Sequence, residues 1–98
     1  MITIDDVQKW AKPHEGAPSG KHLVISNDNY QASIVGGASG LYGDFVDDFE
    51  VAFIDSKNGT FVTRYFYPEA DDDVIAYLPA EEMLKLLNSI FRKNFQVR

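Results

Sequence analysis

Residues 74–93, VIAYLPAEEMLKLLNSIFRK, decide the architecture, because the hydrophobic period changes inside them. Val74 to Leu78 is a short apolar run with β-branched and aromatic side chains, which reads as a strand. Pro79 then suits the first turn of a helix, where a missing N–H costs nothing, and Glu81 and Glu82 complement the positive end of the helix dipole. Met83, Leu84, Leu87, Ile90 and Phe91 recur at spacings of three and four as a wide apolar stripe, followed by Arg92 and Lys93 at the negative end. A helix with one apolar stripe must bury it, so this segment predicts a C-terminal helix laid on a sheet.

The segments before it supply the sheet. His22 to Ser26 (HLVIS) is apolar and β-branched, Asn27-Asp28-Asn29 is turn chemistry, and Tyr30 to Val35 (YQASIV) alternates with period two, which together predict a hairpin. Gly36 to Asp44 reads as a loop, and a third strand runs over Phe49–Asp55. Asn58-Gly59 is a strong signal for a two-residue type I′ turn, so a second hairpin is expected, with a fourth strand over Thr60–Tyr67 (TFVTRYFY) stopped by Pro68. In that register Asp55 faces Val62 and Phe53 faces Arg64. One face of the hairpin then carries Phe49, Val51, Phe53, Val62 and Phe66 for the core, and the other presents Phe61, Tyr65 and Tyr67 beside Glu50.

At the other end, Thr3-Ile4-Asp5-Asp6 has the residues of a capping box and Pro13 breaks the helical ladder, so a helix of about two turns is expected between them. Residues 12–21, with two Pro and two Gly, read as an irregular connection. The order α-β-β-β-β-β-α specifies an α+β fold. Its mainly antiparallel sheet has about five strands, two hairpins plus a short fifth, with a short N-terminal helix and a longer C-terminal helix packed on it.

Ninety-eight residues allow one core and a single domain over 1–98, since a chain this short buries only roughly 60 to 68 per cent of its unfolded surface. With 45% hydrophobic and 13% aromatic residues it has enough core formers to fold. Its mean hydropathy of −0.22, and the lack of any apolar run of about 18 residues, argue against a membrane span. The start, MITIDDVQKW, has two Asp where a signal peptide carries basic and apolar residues, and there is no Cys. A cytoplasmic location without disulfides is the expectation. A net charge of −6 and a pI near 4.6 argue against direct nucleic-acid binding, which needs clustered Lys and Arg.

Little points to catalysis. Four Gly in Gly36–Gly43 resemble a phosphate loop, but the run leads into Asp44, Asp47, Asp48 and Glu50 and then a strand, where carboxylates repel a phosphate and no helix N-terminus awaits it. His14 and His22 lack partners at triad or ligand spacing. Neither Asp71-Asp72-Asp73 nor the Asp44, Asp47, Asp48 group has EF-hand spacing, so no cofactor is expected. Charge is the clearest signal: residues 44–82 hold eleven of the fifteen carboxylates against only Lys57 and Arg64, a net −9, while the rest of the chain sums to +3.

The reading is therefore a non-enzymatic interaction module that meets a protein partner, in its sharpest form a basic nucleic-acid-binding one, through Leu41, Tyr42, Asp44, Phe45, Asp47, Asp48, Glu50, Tyr65 and Tyr67. The glycine-permitted loop is expected to carry Leu41, Tyr42 and Phe45 outward. Two rival readings are a self-associating structural protein or homodimer, and a small-ligand or divalent-metal binder using the Asp clusters.

The strings SIVGGASGLYGDFVDDFEVAFID and DDVIAYLPAEEMLKLLN resemble short uncharacterised proteins carried by bacteriophages and prophages of Gram-positive bacteria. The resemblance spans about Tyr30 to Asn88 and includes the elements GLYGD and FEVA, which are of moderate specificity. It implies a cytoplasmic accessory protein of a mobile element that contacts a host or phage protein, and it assigns no functional residues.

Overall fold

Helix α1, Ile4–Trp10, begins where the capping box places it. The Thr3 hydroxyl accepts from the Asp6 N–H and the Asp6 carboxylate accepts from the Thr3 N–H, which satisfies two free amides of the first turn. In the computed structural model, which describes residues 1–98, six strands and two further helices complete the chain. They are β1 (Lys12–Pro13), β2 (Lys21–Ser26), β3 (Tyr30–Gly36), β4 (Asp48–Asp55), α2 (Thr63–Phe66), β5 (Ile75–Pro79), α3 (Ala80–Ile90) and β6 (Gln96–Val97). The sheet is antiparallel, in the order β1-β2-β3-β4-β5, with β6 also on β2. The α+β architecture is thus the one expected.

Alternation along the central strands sets the core. Leu23 pairs with Ile34, Ile34 with Val51, Ile25 with Ala32 and Ala32 with Phe53, so these side chains share one face. They form a single buried cluster with Val7 from α1 and Met83, Leu87 and Phe91 from the α3 stripe. Two side-chain amides lock the helices in place. Asn88 brackets Ile2, accepting from its N–H at 2.6 Å and donating to its carbonyl at 2.9 Å. Asn27 donates to the Ile90 carbonyl at the end of α3 while its Oδ1 accepts from Asn29 and Tyr30 in the β2–β3 turn. The helix stops at Ile90, so Arg92 and Lys93 lie beyond its cap rather than in its last turn.

Two expectations about the sheet change. The connection at 12–21 is partly regular, because Lys12 and Pro13 pair with His22 and Lys21 at one end of β2's outer edge, while β6 pairs with Ser26 and Ile25 at the other. That edge is thereby covered; the opposite edge, β5, ends in Pro79 and is kinked at Tyr77. Both features oppose strand-to-strand association between copies.

The larger correction concerns the second hairpin. The fourth strand over Thr60–Tyr67 does not form, and only an isolated bridge joins Ile54 and Phe61. The turn is longer than Asn58-Gly59: the Asp55 carboxylate accepts from Lys57 and Asn58, the Asp55 N–H donates to Thr60, and only Gly59 takes a positive φ, 74°. Pairing therefore slips by two residues from the expected register. It then ends because the buried Thr63 hydroxyl, not a backbone carbonyl, receives the Phe53 N–H at 3.0 Å, while the same hydroxyl donates to the Asp73 carbonyl. A side chain that competes for the ladder in this way allows the chain to coil. Thr63–Phe66 becomes α2, and Phe66 turns inward onto Phe53 and Tyr30, with ring centroids 5.3 and 4.9 Å away. Arg64, expected opposite Phe53, instead lies in α2 and donates to the Asp71 carbonyl at 3.3 Å.

Candidate interaction surface

The loop between β3 and β4 is held by its own acids. Gly43 runs so close to β4 that a Cβ there would sit 2.7 Å from the Phe49 Cα, so only glycine permits this approach. Immediately after it, Asp44 Oδ1 accepts from the N–H groups of Val46, Asp47 and Asp48 at 2.8, 2.8 and 3.1 Å, and Asp48 Oδ1 accepts from the Asp44 N–H at 2.8 Å. The Phe45 N–H donates to the Asp48 carbonyl, which closes the turn.

Inside this turn Phe45 has φ 61°, and its side chain goes the opposite way from the sequence expectation. It is 1% exposed and packs edge-on against Phe49 at 5.0 Å. Its carbonyl accepts from Gln8 Nε2, which ties the loop to α1, and Lys21 Nζ lies 5.8 Å above its ring. Phe45 is therefore a core residue and not an outward anchor. The physical reason is the left-handed backbone, which reverses the direction of Cβ; a loop reading without φ values has no means of assigning it.

The amides of Val46, Asp48 and Asp47 hold the Asp44 carboxyl below its ordinary pKa of 3.8, because they stabilise the charged form. A carboxyl whose pKa is lower in the folded chain contributes stability above its unfolded value and loses it as pH falls through the folded one. Asp44→Asn keeps an oxygen acceptor but loses the charge. The wild type should therefore melt above the variant at neutral pH, and the gap should close as pH falls below about 3.8. Thermal melts of both proteins between pH 2 and 7 check this; a gap that stays constant to the lowest pH would show that the charge contributes nothing.

A second feature lies on β5. Phe49 pairs with Leu78 and Val51 with Ile75, so Ala76 and Tyr77 together oppose the single residue Glu50, as in a β-bulge. Tyr77 takes φ 54°, an arrangement that costs a bulky side chain about 1–2 kcal/mol and must be held by its surroundings. The Tyr77 N–H donates to the Tyr42 carbonyl at 2.9 Å, and the Tyr42 N–H donates to Glu50 Oε1 at 3.0 Å. The two rings lie 6.0 Å apart at 54°, with Tyr42 49% and Tyr77 59% exposed. Aromatic surface is thus held outward by a strained backbone.

Tyr42 and Tyr77 share a depression of ≈ 330 Å³ with Tyr67, where Glu69, Asp71 and Asp72 supply the charge. Burial, and then the negative charges of Glu82 and Glu69, push the Tyr67 phenol above its usual pKa of 10.0. Tyr77 also borders a shallower hollow with Leu41, Asp44 and Asp48. The β5 bulge therefore joins the loop to the acidic segment before β5.

Most of the residues that the sequence singles out meet on this surface. Leu41, Tyr42, Asp44 and Asp48 surround it, Glu50 anchors it from beneath, and Asp47 is exposed on the same turn. Tyr67 lines the depression. Tyr65, 75% exposed, packs on Phe66 and lines neither hollow, because α2 replaces the strand that would have aligned it with Tyr67. Tyr77 is the residue that sequence reasoning misses, since in VIAYL it reads as one more strand residue and nothing local signals a left-handed tyrosine. No group of three or more His, Asp or Glu side chains converges to hold a metal ion, and no helix is long and apolar enough to cross a membrane. Comparison with protein-family models, curated proteins and solved structures finds no match for this chain.

Proposed function

We propose that this chain is a small acidic, non-enzymatic interaction module that docks a basic protein through the surface running from Asp44 and Leu41 across Tyr42 and Tyr77 to Tyr67. The observation that carries this reading is Tyr77, an exposed aromatic kept in a strained backbone beside a second tyrosine, at the join of two hollows that acidic residues help to line. Folding alone gains little from such strain on a solvated side chain, whereas rigid aromatic surface that is already ordered lowers the cost of binding. The net −9 of residues 44–82 supplies the long-range attraction for a basic partner. A cytoplasmic setting, and the role of an accessory protein of a mobile element, agree with the composition and with the phage-protein resemblance.

Neutralising Asp47, Glu69 and Asp71 together, D47N/E69Q/D71N, tests the reading, because none of these three carboxylates is engaged in the hydrogen bonds that hold the loop. Affinity capture from host lysate, followed by binding kinetics with the captured protein at two salt concentrations, should show slower association and a flatter salt response for the triple variant. An unchanged rate and salt response would leave the acids as a solvated face and remove this reading. Sedimentation of the pure protein addresses the homodimer: concentration-dependent association without any partner would favour it instead.

A further inference from the structure

We propose, building on that docking reading, that the depression between Tyr42, Tyr67 and Tyr77 receives one arginine side chain of the partner. Its size supports a single side chain: ≈ 330 Å³ is near the lower limit of small-molecule sites and far too small for a folded element. Its chemistry selects a cation. Three tyrosines, the acidic residues Glu69, Asp71 and Asp72, and five small or aliphatic residues line it, and no basic residue does; Arg64 is exposed and donates to the Asp71 backbone carbonyl. An anion would meet three negative charges. An apolar side chain would cover the rings but gain nothing from the exposed carboxylates beside them. A bare divalent ion would need converging oxygen ligands, which the acidic residues do not provide.

Between the two cationic side chains the rings decide. A guanidinium is planar and weakly hydrated, so it can lie on an aromatic face while its N–H fork reaches carboxylates at the rim. A lysine ammonium is a compact, strongly hydrated point charge and gives up more water to enter the same place. The bulge matters because it turns Tyr77 toward Tyr42 to form this wall; a regular β5 would send successive side chains to opposite faces of the sheet.

The test uses the whole chain with ¹³C-labelled tyrosine rings, titrated with Nα-acetyl-arginine amide and, in parallel, with the uncharged Nα-acetyl-citrulline amide and with Nα-acetyl-lysine amide. Arginine amide should shift the Tyr42, Tyr67 and Tyr77 resonances saturably while Tyr65, outside the depression, stays still. Citrulline amide, which loses the cation–ring contact, and lysine amide, which gives up more hydration to enter, should each bind at least about fivefold more weakly. Tyr77→Ala retains a Cβ and hence the backbone constraint, so it should keep the fold and weaken arginine amide by about fivefold or more. Tyr42→Leu, which leaves the backbone bonds in place, should do the same. Equal response to arginine and citrulline amides, lysine amide as strong as arginine, or Tyr65 shifting with the other three would each overturn the proposal. The two readings fail separately: if arginine amide is ignored while the captured partner still binds in a salt-dependent way that D47N/E69Q/D71N weakens, the docking reading stands and the arginine proposal is overturned.

Discussion

Phe45→Ala should destabilise the protein by about 3–5 kcal/mol, the usual cost of emptying a buried phenylalanine site. That is a large share of the roughly 5–15 kcal/mol that holds a domain of this size together. At about 4–8 °C per kcal/mol, the melting temperature should fall by well over 10 °C. The substitution separates two roles cleanly, because alanine also carries a Cβ and so meets the same left-handed strain at φ 61°. What changes is the ring, which packs on Phe49 beneath Lys21. Phe45→Gly supplies the complementary measurement. It removes the ring and relieves the strain together, so it should be less damaging than alanine by about 1 kcal/mol. A melting temperature within a degree or two of wild type for Phe45→Ala would place the ring outside the core and restore it as a candidate docking anchor.

Leu87→Ala should cost about 2–5 kcal/mol, again by removal of buried methyl groups and the cavity they leave. Leu87 is fully buried at the centre of the helical stripe, between Met83 and Phe91, in the same core cluster as Leu23, Ile34 and Val51. The loss should be global rather than local, since α3 also carries Asn88, whose two bonds to Ile2 fasten the N-terminus. Urea unfolding followed by helix and aromatic signals should therefore give one coincident transition at a lower midpoint, with little change in slope. A loss below about 0.5 kcal/mol would mean that the stripe packs on something other than the sheet.

Both predictions concern buried side chains, yet only one of these is legible in the sequence. Leu87 belongs to a stripe whose spacing already fixes its direction: on a helix, residues three and four apart share a side whatever lies opposite. The same holds for Leu23, Ile25, Ile34, Val51 and Phe53, which alternate along strands, and for the Thr3–Asp6 capping box, which closes within four residues. Periodic burial and local capping are properties of neighbours in the chain, so the α+β class, both helical covers of the sheet and the start of α1 could be read from the amino acids alone.

The remaining features depend on partners distant in sequence. Thr63 ends the β4 pairing because it reaches the amide of Phe53 and the carbonyl of Asp73, ten residues away on either side, and this outweighs the strand preference of TFVTRYFY. Phe45 turns inward because Asp44 gathers three amides and Gln8 of α1 takes its carbonyl. Tyr77 turns outward because two residues of β5 must share one partner on β4. In these cases a backbone angle, not a residue type, selects the side to which an aromatic ring points. The acidic character of the surface was therefore a matter of composition, while the identity of the tyrosines that stand on it was settled by tertiary hydrogen bonds that compete with, and here outweigh, local propensity.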